Sequence, residues 1–350
     1  MHILSELDVT RILHSLTKEQ CEAFIYRLSD ALASVSVESK PTIPESERLI
    51  HQPLRTVFTT NDHNTHMFMP VSNTVNTGIK IVSIGSSGIH GVVNIFSPDG
   101  RLSGLLAAEE LTAFRTALTT MALFVRCITL RKENILVFGS GRQAEWHVRQ
   151  AVLLYPGLVR RVTVVNRGRK RLDEMDCNVL AGLRTQYPSI SFITLAAEGV
   201  ADYHERLCAE LAACDVIFSC TPSSVPNFQF SALQSAPKQR FISLIGSYKP
   251  HMHEIDSDTL LSGGGRIYVD SKKACLEESG ELITAHITEG QLTELGDILA
   301  DQGLSNEIDV PNGCNIIYKC VGMGLMDLVV GNQVLELGKE QGLGVYVSGI

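Results

Sequence analysis

The stretch Ile135-Leu136-Val137-Phe138-Gly139-Ser140-Gly141-Arg142-Gln143-Ala144 decides the fold. Apolar residues with strand character run into the spacing G-x-G-x-x-A, which leads directly into a helical pattern. Gly139 permits a tight turn, Gly141 leaves bare backbone for a pyrophosphate to approach, and Ala144 lets the helix pack closely on the strand. The N-terminus of such a helix presents free N–H groups and a partial positive charge to phosphates. The stretch therefore predicts the strand–turn–helix unit of a dinucleotide-binding domain.

Strand and helix patterns alternate on the C-terminal side of this unit. The strand patterns cover 162–165, 191–194, 216–219, 241–245 and 267–269, and the helical patterns cover 143–154, 170–186 and 203–212. This alternation is typical of a parallel, doubly wound sheet with helices on both faces. We therefore predict a Rossmann-type domain over residues 129–314.

The residues before this domain have a different pattern. A capping-box sequence, TKEQ at 17–20, begins an amphipathic helix. Between residues 56 and 106, short strand patterns alternate with Asn, Gly and Pro turn signals, which predicts an antiparallel sheet. A long helix, predicted over 322–337, follows the α/β domain and is expected to pack back on this first half. The predicted fold class is therefore α/β, with the Rossmann-type parallel sheet and a discontinuous α+β domain over 1–128 and 315–350.

Composition and charge exclude several classes of protein. The chain has 350 residues, a formal net charge of -8 and 44% hydrophobic residues, which is enough for two domains with sizeable cores. Mild acidity argues against a nucleic-acid surface, because neutralising phosphates requires clustered Lys and Arg. No stretch approaches the roughly 18 uncharged apolar residues of a membrane span, and no signal-peptide pattern is present. The nine cysteines lack a C-x-x-C pair and the histidines lack metal-site spacing, so we expect reduced thiols, no metal and a cytoplasmic location.

The end of the second Rossmann strand indicates which dinucleotide is bound. An NAD enzyme usually carries Asp or Glu there, which accepts a hydrogen bond from the ribose 2′-hydroxyl. This strand ends in NRGRKR, residues 166–171, without a carboxylate. Asn166 can donate a hydrogen bond, and the planar guanidinium of Arg167 can bind a phosphate. We therefore expect NADPH, with NADH as the alternative, and we interpret at least two of the three cations at 169–171 as a solvated helix start.

Several segments together resemble one family. The sequence LTAFRTA, at 111–117, precedes the nucleotide motif. Further matching segments are QPLRTV (52–57), MP (69–70), NR (166–167), YVDS (268–271), ESG (278–280), LGD (295–297) and KCVGMG (319–324). From about residue 50 onward the chain resembles the ornithine cyclodeaminase/mu-crystallin family, and within it the branch of NADPH-dependent ketimine reductases.

The resemblance implies a homodimer that forms through the antiparallel sheets, and a carboxylated substrate. The predicted substrate-binding residues are Arg55, Lys80, Arg115 and Glu278. A cyclic ketimine such as pyrroline-2-carboxylate or piperideine-2-carboxylate carries a carboxylate beside its C=N bond, and a guanidinium binds a carboxylate through two hydrogen bonds. Lys80 interrupts an apolar strand, where an inward lysine is costly unless it meets an anion or transfers a proton. From the residues alone, an outward Lys80 and a structural Arg115 are the alternatives.

The remaining predicted site residues lie in the nucleotide motif and at the ends of the second, fourth and fifth Rossmann strands. The predicted catalytic residues are Lys80, Arg115 and Tyr248. The predicted cofactor-binding residues are Gly139, Ser140, Gly141, Arg142, Gln143, Ala144, Asn166, Arg167, Cys220, Thr221 and Gly246.

Two departures from the family pattern argue against ornithine cyclodeamination. Where the cyclodeaminases carry a catalytic Asp and then a Lys after the fifth strand, this chain has Tyr248 and Met252. Where they carry a Glu two residues before Met-Pro, it has Met67. Cyclodeamination needs a carboxylate to activate an amine or water. Tyr248 is expected to narrow the substrate pocket or to donate a proton.

These observations predict an oxidoreductase that transfers hydride from NADPH to the carbon of a small carboxylated imine. Two alternatives stay open: an NAD(P)-dependent amino-acid dehydrogenase on the same scaffold, and a non-enzymatic NADPH-dependent binder of small molecules. The charged set of Arg55, Lys80 and Arg115 favours catalysis over passive binding.

Overall fold

The computed structural model describes residues 1–40, 42–86, 88–302, 308, 310–311 and 313–348, and the chain divides into two compact units. The first unit comprises Met1–Thr119, Leu299–Leu304 and Gly322–Ile350, and the second comprises Thr120–Ile298 and Ser305–Val321. The first unit is thus discontinuous in sequence, while the exact limits predicted for the domains stay a prediction.

Strands and helices alternate along most of the chain. The described strands are β1 (His2–Leu4), β2 (Thr56–Thr59), β3 (Thr65–Ser72), β4 (Thr77–Gly85), β5 (Gly88–Phe96), β6 (Leu102–Ala107), β7 (Asn134–Phe138), β8 (Arg161–Asn166), β9 (Ser191–Ala196), β10 (Val216–Ser219), β11 (Phe241–Leu244), β12 (Ile267–Val269), β13 (Leu292–Glu294), β14 (Ile316–Lys319) and β15 (Val345–Tyr346). The described α-helices are α1 (Glu6–His14), α2 (Lys18–Glu38), α3 (Glu109–Phe124), α4 (Arg142–Leu154), α5 (Arg169–Met175), α6 (Ala181–Gln186), α7 (Tyr203–Ala213), α8 (Phe230–Gln234), α9 (Ser257–Leu261), α10 (Lys272–Glu278), α11 (Gly280–Thr284), α12 (Leu295–Gln302) and α13 (Gly324–Glu340). A π-helical turn, Asp176–Leu180, joins α5 to α6, and short 3-10 turns occur at Glu45–Glu47 and Glu289–Gln291.

The first unit is built on a seven-stranded sheet in the order β15-β1-β6-β5-β4-β3-β2. Strands β2 to β6 form antiparallel hairpins, so the antiparallel sheet predicted over 56–106 is confirmed. Strand β1, which the sequence did not reveal, pairs parallel with β6. Helix α13 packs on this sheet, because an added Cβ at Gly78 of β4 would lie only 2.9 Å from Leu328 Cδ1. The predicted return of the last long helix to the first half is therefore confirmed.

The helices that begin the first unit follow strong local signals. Thr17 caps α2 by accepting a hydrogen bond from the Gln20 N–H, and the Gln20 side chain reciprocates. Ser5 and Asp8 form the same capping box at α1, a helix that the sequence analysis did not anticipate. Phe24 of α2 meets Phe114 of α3 edge to face, with ring centres 5.4 Å apart.

The second unit is built on an eight-stranded parallel sheet in the order β13-β12-β14-β11-β10-β7-β8-β9. The chain runs from β7 outward to β9, then returns to β10 and continues in the opposite direction. The topological switch point therefore lies between β7 and β10, where doubly wound sheets bind ligands at the carboxyl ends of the strands. The Rossmann-type fold is confirmed, but β13 and β14 were missed.

The part of the chain that the structure describes contains no helix with both the length and the apolar character needed to cross a bilayer.

Candidate active site

A buried ion cluster of Lys80, Arg115 and Asp327 lies in the first unit. Lys80 is on β4, where its side chain shares the buried face of the strand with Gly78 and Val82. Lys80 Nζ lies 2.8 Å from Asp327 Oδ2, and Arg115 Nε donates to Asp327 Oδ1 at 3.0 Å. The three side chains are 3%, 4% and 1% exposed. The structure thus brings two predicted site residues together with an acid that was not predicted.

The charges in this cluster do not balance. Among the residues that the structure describes, two buried cations share the buried carboxylate of Asp327, and the positive charge of the half-buried Arg55 also acts on Lys80. An excess buried charge is costly unless a counter-ion offsets it. The cluster is therefore suited to an anion, and a carboxylate matches the planar donor fork of arginine.

Lys80 is also suited to transferring a proton. The pKa of Lys80 is lowered to about 8, because burial and the positive charge of Arg115 disfavour the ammonium form more than Asp327 favours it. An ammonium group with a pKa near neutrality can donate its proton in a reaction at physiological pH, which an ordinary lysine does poorly. Lowered lysine pKa values are frequent at functional sites.

Gly322 packs against the guanidinium of Arg115. Its φ is +91°, and an added Cβ would lie 2.7 Å from Arg115 Nη1. Arg115 Nη1 also donates to Met326 Sδ at 3.3 Å. Gly322, just before α13, and Met326, in its first turn, therefore both contact the guanidinium of Arg115.

Asp327 was missed by the sequence analysis, although a signal was present. Among the buried residues of α13, which are mostly apolar, Asp327 is the one with a carboxylate. A charged residue on a buried helix face requires a partner of opposite charge. That argument predicts an ion pair for Asp327 but does not identify which cations form it.

A second site, the nucleotide loop, lies in the second unit at the switch point. Gly139 has a φ of +105°, and an added Cβ would lie 2.9 Å from the Cys220 backbone oxygen. An added Cβ at Gly246 would overlap the Thr221 backbone. At Gly141, which caps α4 without a side-chain hydrogen bond, an added Cβ would meet open space. The loops holding these predicted residues are therefore in close contact, and the N-terminus of α4 is open.

The nucleotide loop fits the phosphates of a dinucleotide. Within the described residues, Ser140 Oγ and Gln143 Oε1 are buried polar atoms without a hydrogen-bond partner. Ala144 is fully buried against the strand side of α4. The Ser140 hydroxyl can donate a hydrogen bond to a phosphate, whereas Gln143 Oε1 can only accept one, and the N-terminus of the 13-residue α4 adds a partial positive charge that favours an anion. Arg142 is exposed at the same helix start.

A cleft of about 710 Å³ lies beside this loop, between the ends of β8, β9 and β10. The residues that line it include Asn166, Arg167, Lys170, Arg171, Glu198 and Thr221. Asn166 Nδ2 donates to the Gly168 carbonyl at 2.7 Å, so its amide is engaged with its own loop. Glu198, in the turn after β9, was not predicted, because it is distant in sequence from the end of β8.

Glu254 joins the loops that follow β10 and β11. Its side chain is fully buried and accepts hydrogen bonds from Ser219 Oγ at 2.7 Å, the Thr221 N–H at 2.9 Å and the Gly246 N–H at 2.6 Å. Thr221 and Gly246 are predicted cofactor-binding residues. Glu254 therefore holds the backbone of the predicted site without having been predicted itself.

A second buried carboxylate lies next to Glu254. Glu281 Oε1 accepts the Glu254 N–H at 2.7 Å, and Glu281 Oε2 lies 3.8 Å from Lys319 Nζ. Burial raises the pKa of Glu254 to about 7, and Glu281 contributes to the rise while Lys319 opposes it.

Tyr248 and Glu278 belong to the second unit, whereas Arg55, Lys80 and Arg115 belong to the first. Tyr248 is half-buried in the loop after β11, where Lys249 Nζ lies 5.8 Å from the ring centre. Glu278 is half-buried at the end of α10. The predicted roles of both residues stay predictions.

Comparison with known proteins gives relatives that match most of the chain. An uncharacterized protein of Saccharomyces cerevisiae is 31% identical over 342 residues, which cover 86% of this chain and 91% of that protein. Other relatives over most of the chain are Δ(1)-pyrroline-2-carboxylate reductases. The chain belongs to the ornithine cyclodeaminase/mu-crystallin family. No protein-family model matches the chain.

Two further members of the family illustrate its range. A Δ(1)-pyrroline-2-carboxylate reductase of Bacillus cereus is 25% identical over 320 residues, covering 87% of this chain and 90% of that protein. The structure of the Thermococcus litoralis Δ(1)-pyrroline-2-carboxylate reductase, in complex with NADH and L-proline, superposes with a TM-score of 0.79. That match has 18% identity and covers 99% of this chain and 100% of the other, so it shows the shared fold.

Proposed function

We propose that the chain is an NADPH-dependent imine reductase that acts on a small, carboxylated and cyclic imine. The observation that carries this proposal is the buried cluster in which, within the described part of the chain, Lys80 and Arg115 share the carboxylate of Asp327. Its excess positive charge suits a substrate carboxylate, and the lowered pKa of Lys80 suits proton donation. The name of the Bacillus cereus relative supports the same substrate class.

The reaction would join a hydride and a proton to the C=N bond. When bound, the reduced dinucleotide would supply a hydride, with its two electrons, to the imine carbon. The cofactor would itself become oxidised. Arg115 and Arg55 hold the carboxylate and fix the orientation of the neighbouring carbon. Lys80 donates its proton to the imine nitrogen, so the product is a secondary amine beside the carboxylate, as in a cyclic amino acid. Asp327 keeps both cations in place.

NADPH is the cofactor that the cleft favours. Arg167, Lys170 and Arg171 line its wall at the end of the second Rossmann strand. Cations at this position bind the 2′-phosphate that distinguishes NADPH from NADH.

An exposed apolar surface on the first unit supports a homodimer. Val57, Phe58 and Ile89 are about half exposed on the antiparallel sheet, and Phe58 stacks on Phe68 with ring centres 5.6 Å apart. Val57 and Phe58 are consecutive residues of the edge strand β2, so exposed apolar side chains lie on both faces of this edge, and a second copy of the same strand is a self-complementary partner that would cover them. The nine cysteines are all free thiols, which supports a reducing compartment such as the cytoplasm.

The experiment that tests the function is NADPH oxidation by the purified protein with Δ(1)-pyrroline-2-carboxylate and Δ(1)-piperideine-2-carboxylate. We expect NADPH absorbance to fall and proline or pipecolate to accumulate in equal amount. The matched control is Δ(1)-pyrroline, which has the same C=N bond and no carboxylate, and we expect it to react at least a hundredfold more slowly.

Tight NADPH binding without turnover of either ketimine would contradict this function and favour a small-molecule binder. Efficient oxidation of an open-chain amino acid, without reduction of either ketimine, would favour the amino-acid dehydrogenase.

A further inference from the structure

The wall of the cleft carries charges of both signs. Arg167, Lys170 and Arg171 contribute positive charge, and Glu198 contributes a carboxylate from the turn after β9. Glu198 is exposed, yet its carboxylate is anchored, because Oε2 accepts the N–H of Arg169 at 2.8 Å. Its own N–H donates to the Arg167 carbonyl at 3.0 Å. The acid is therefore fixed to the same loop that carries the cations.

The location of this loop determines what the acid can contact. In dinucleotide-binding folds, the end of the second strand lies beside the 2′ position of the adenosine ribose. The residue at that end here, Asn166, directs its amide to the Gly168 carbonyl. The carboxylate that lines this end of the sheet belongs to Glu198, in the turn after the neighbouring strand β9.

The two kinds of charge favour different cofactors. A carboxylate accepts a hydrogen bond from the ribose 2′-hydroxyl of NADH, and it repels the 2′-phosphate of NADPH. Arginine and lysine attract that phosphate. An acid and three cations around one cleft therefore act in opposition.

We propose that Glu198 is a specificity-determining residue, which limits the preference for NADPH over NADH that Arg167, Lys170 and Arg171 create. The proposal rests on the proposed function only in taking a nicotinamide dinucleotide as the ligand of the cleft. It predicts that the wild-type protein prefers NADPH over NADH less strongly than a variant that lacks the charge of Glu198.

The test is the dissociation constant of NADPH and of NADH, measured by the fluorescence of the bound reduced nicotinamide, in wild type and in Glu198→Gln. Glutamine keeps an oxygen that can accept the Arg169 N–H and removes only the charge. We expect the ratio of NADPH to NADH affinity to rise about five- to tenfold, as for one screened charge near a phosphate. Arg167→Ala should move the ratio in the opposite direction.

The matched control is Glu205→Gln, which removes one negative charge from an exposed position of α7 that does not line the cleft. We expect the control to leave the affinity ratio unchanged. Glu198→Ala should raise the affinity ratio as Glu198→Gln does, although the Arg169 N–H then loses its acceptor. A melting temperature equal to that of the wild type checks that this variant is folded.

An unchanged ratio in both Glu198 variants would overturn this proposal, and so would an equal rise in the Glu205→Gln control. Neither result would contradict the proposed imine reduction, because the binding measurement contains no imine. Conversely, a shifted ratio in a protein that reduces no ketimine would support the role of Glu198 and contradict the proposed reaction.

Discussion

At the scale of single residues, the charges of the buried cluster set the pKa of Lys80 and thereby its ability to donate a proton. Its pKa is about 8 because burial and Arg115 disfavour the charged form, whereas an exposed lysine has a pKa of 10.5. The proton that the reaction needs is therefore lost as the pH rises through about 8. Below that pH the ammonium form is populated and can donate.

We accordingly expect kcat/KM for ketimine reduction to fall as the pH rises through about 8. Lys80→Arg should remove this alkaline fall and lower the rate about a hundredfold or more, because a guanidinium does not release its proton. The measurement is the pH profile of kcat/KM. An alkaline fall at the same pH in Lys80→Arg would assign it to another group.

Asp327 acts on the pKa of Lys80 in the opposite direction, because its negative charge favours the ammonium form. Asp327→Asn leaves two buried cations without a counter-charge, and we expect it to lower the free energy of unfolding by about 3–5 kcal/mol. Because Asp327 raises the pKa of Lys80, the alkaline fall should move to lower pH. Urea unfolding and the pH profile measure the two effects. The control is Asp297→Asn, whose pair with Lys272 is partly exposed and should contribute below about 1 kcal/mol.

Gly322 offers a third residue-scale prediction. Gly322→Ala places a methyl group 2.7 Å from Arg115 Nη1 and adds backbone strain at a φ of +91°. We expect KM for the ketimine to rise about tenfold or more, because Arg115 must move from its carboxylate-binding position. Gly342→Ala is the matched control, since its φ is +66° and its added Cβ meets no atom within 4 Å. An equal rise of KM in Gly342→Ala would show that the backbone strain of an added Cβ, and not its contact with Arg115, causes the rise.

At the scale of elements, Glu254 couples the ends of two neighbouring strands. The loops after β10 and β11 both donate backbone N–H groups to one buried carboxylate. A glutamine at this position offers only one accepting oxygen, and its amide would face donors. Each unsatisfied buried donor costs about 1–3 kcal/mol.

We therefore expect Glu254→Gln to weaken NADPH binding about tenfold or more, because Thr221 and Gly246 lose their fixed positions. The readout is the fluorescence of the bound dinucleotide, and circular dichroism checks that the fold persists. The exposed Glu174→Gln on α5 carries the same charge change and should bind normally. Unchanged binding in Glu254→Gln would limit Glu254 to a structural role.

The same scale separates what the sequence could predict from what it could not. The unit from β7 to α4 followed from local rules, because the glycine spacing and the helical period act over about ten residues. Strand β14 did not, because it has four residues and lies in the sheet between β11 and β12, neither of which is its neighbour in sequence. Asp327 was missed for the same reason, since it meets Arg115 across 212 positions. Short-range patterns predict elements, whereas pairings between distant elements depend on tertiary packing.

At the scale of the whole molecule, the exposed sheet surface bears on assembly. Val57 and Phe58 are 50% and 49% exposed. We expect the double variant Val57→Glu, Phe58→Glu to halve the molar mass measured by light scattering, because like charges would face each other across a symmetric interface. The control is Leu158→Glu, an exposed apolar residue of the second unit, which should keep the wild-type mass. An unaltered mass in the double variant would place the interface elsewhere.

The position of α13 after β4 and α3 in the sequence has a consequence for biosynthesis. During translation, Lys80 and Arg115 are complete long before the ribosome reaches Asp327, so their charges lack the buried carboxylate. The apolar side of β4, which α13 covers, is also open until then. Nascent chains, and chains that end before residue 327, should accordingly expose a charged and apolar surface to chaperones and proteases. When α13 has been synthesised and packs on the sheet, it covers the apolar side of β4 and brings the carboxylate of Asp327 to both cations.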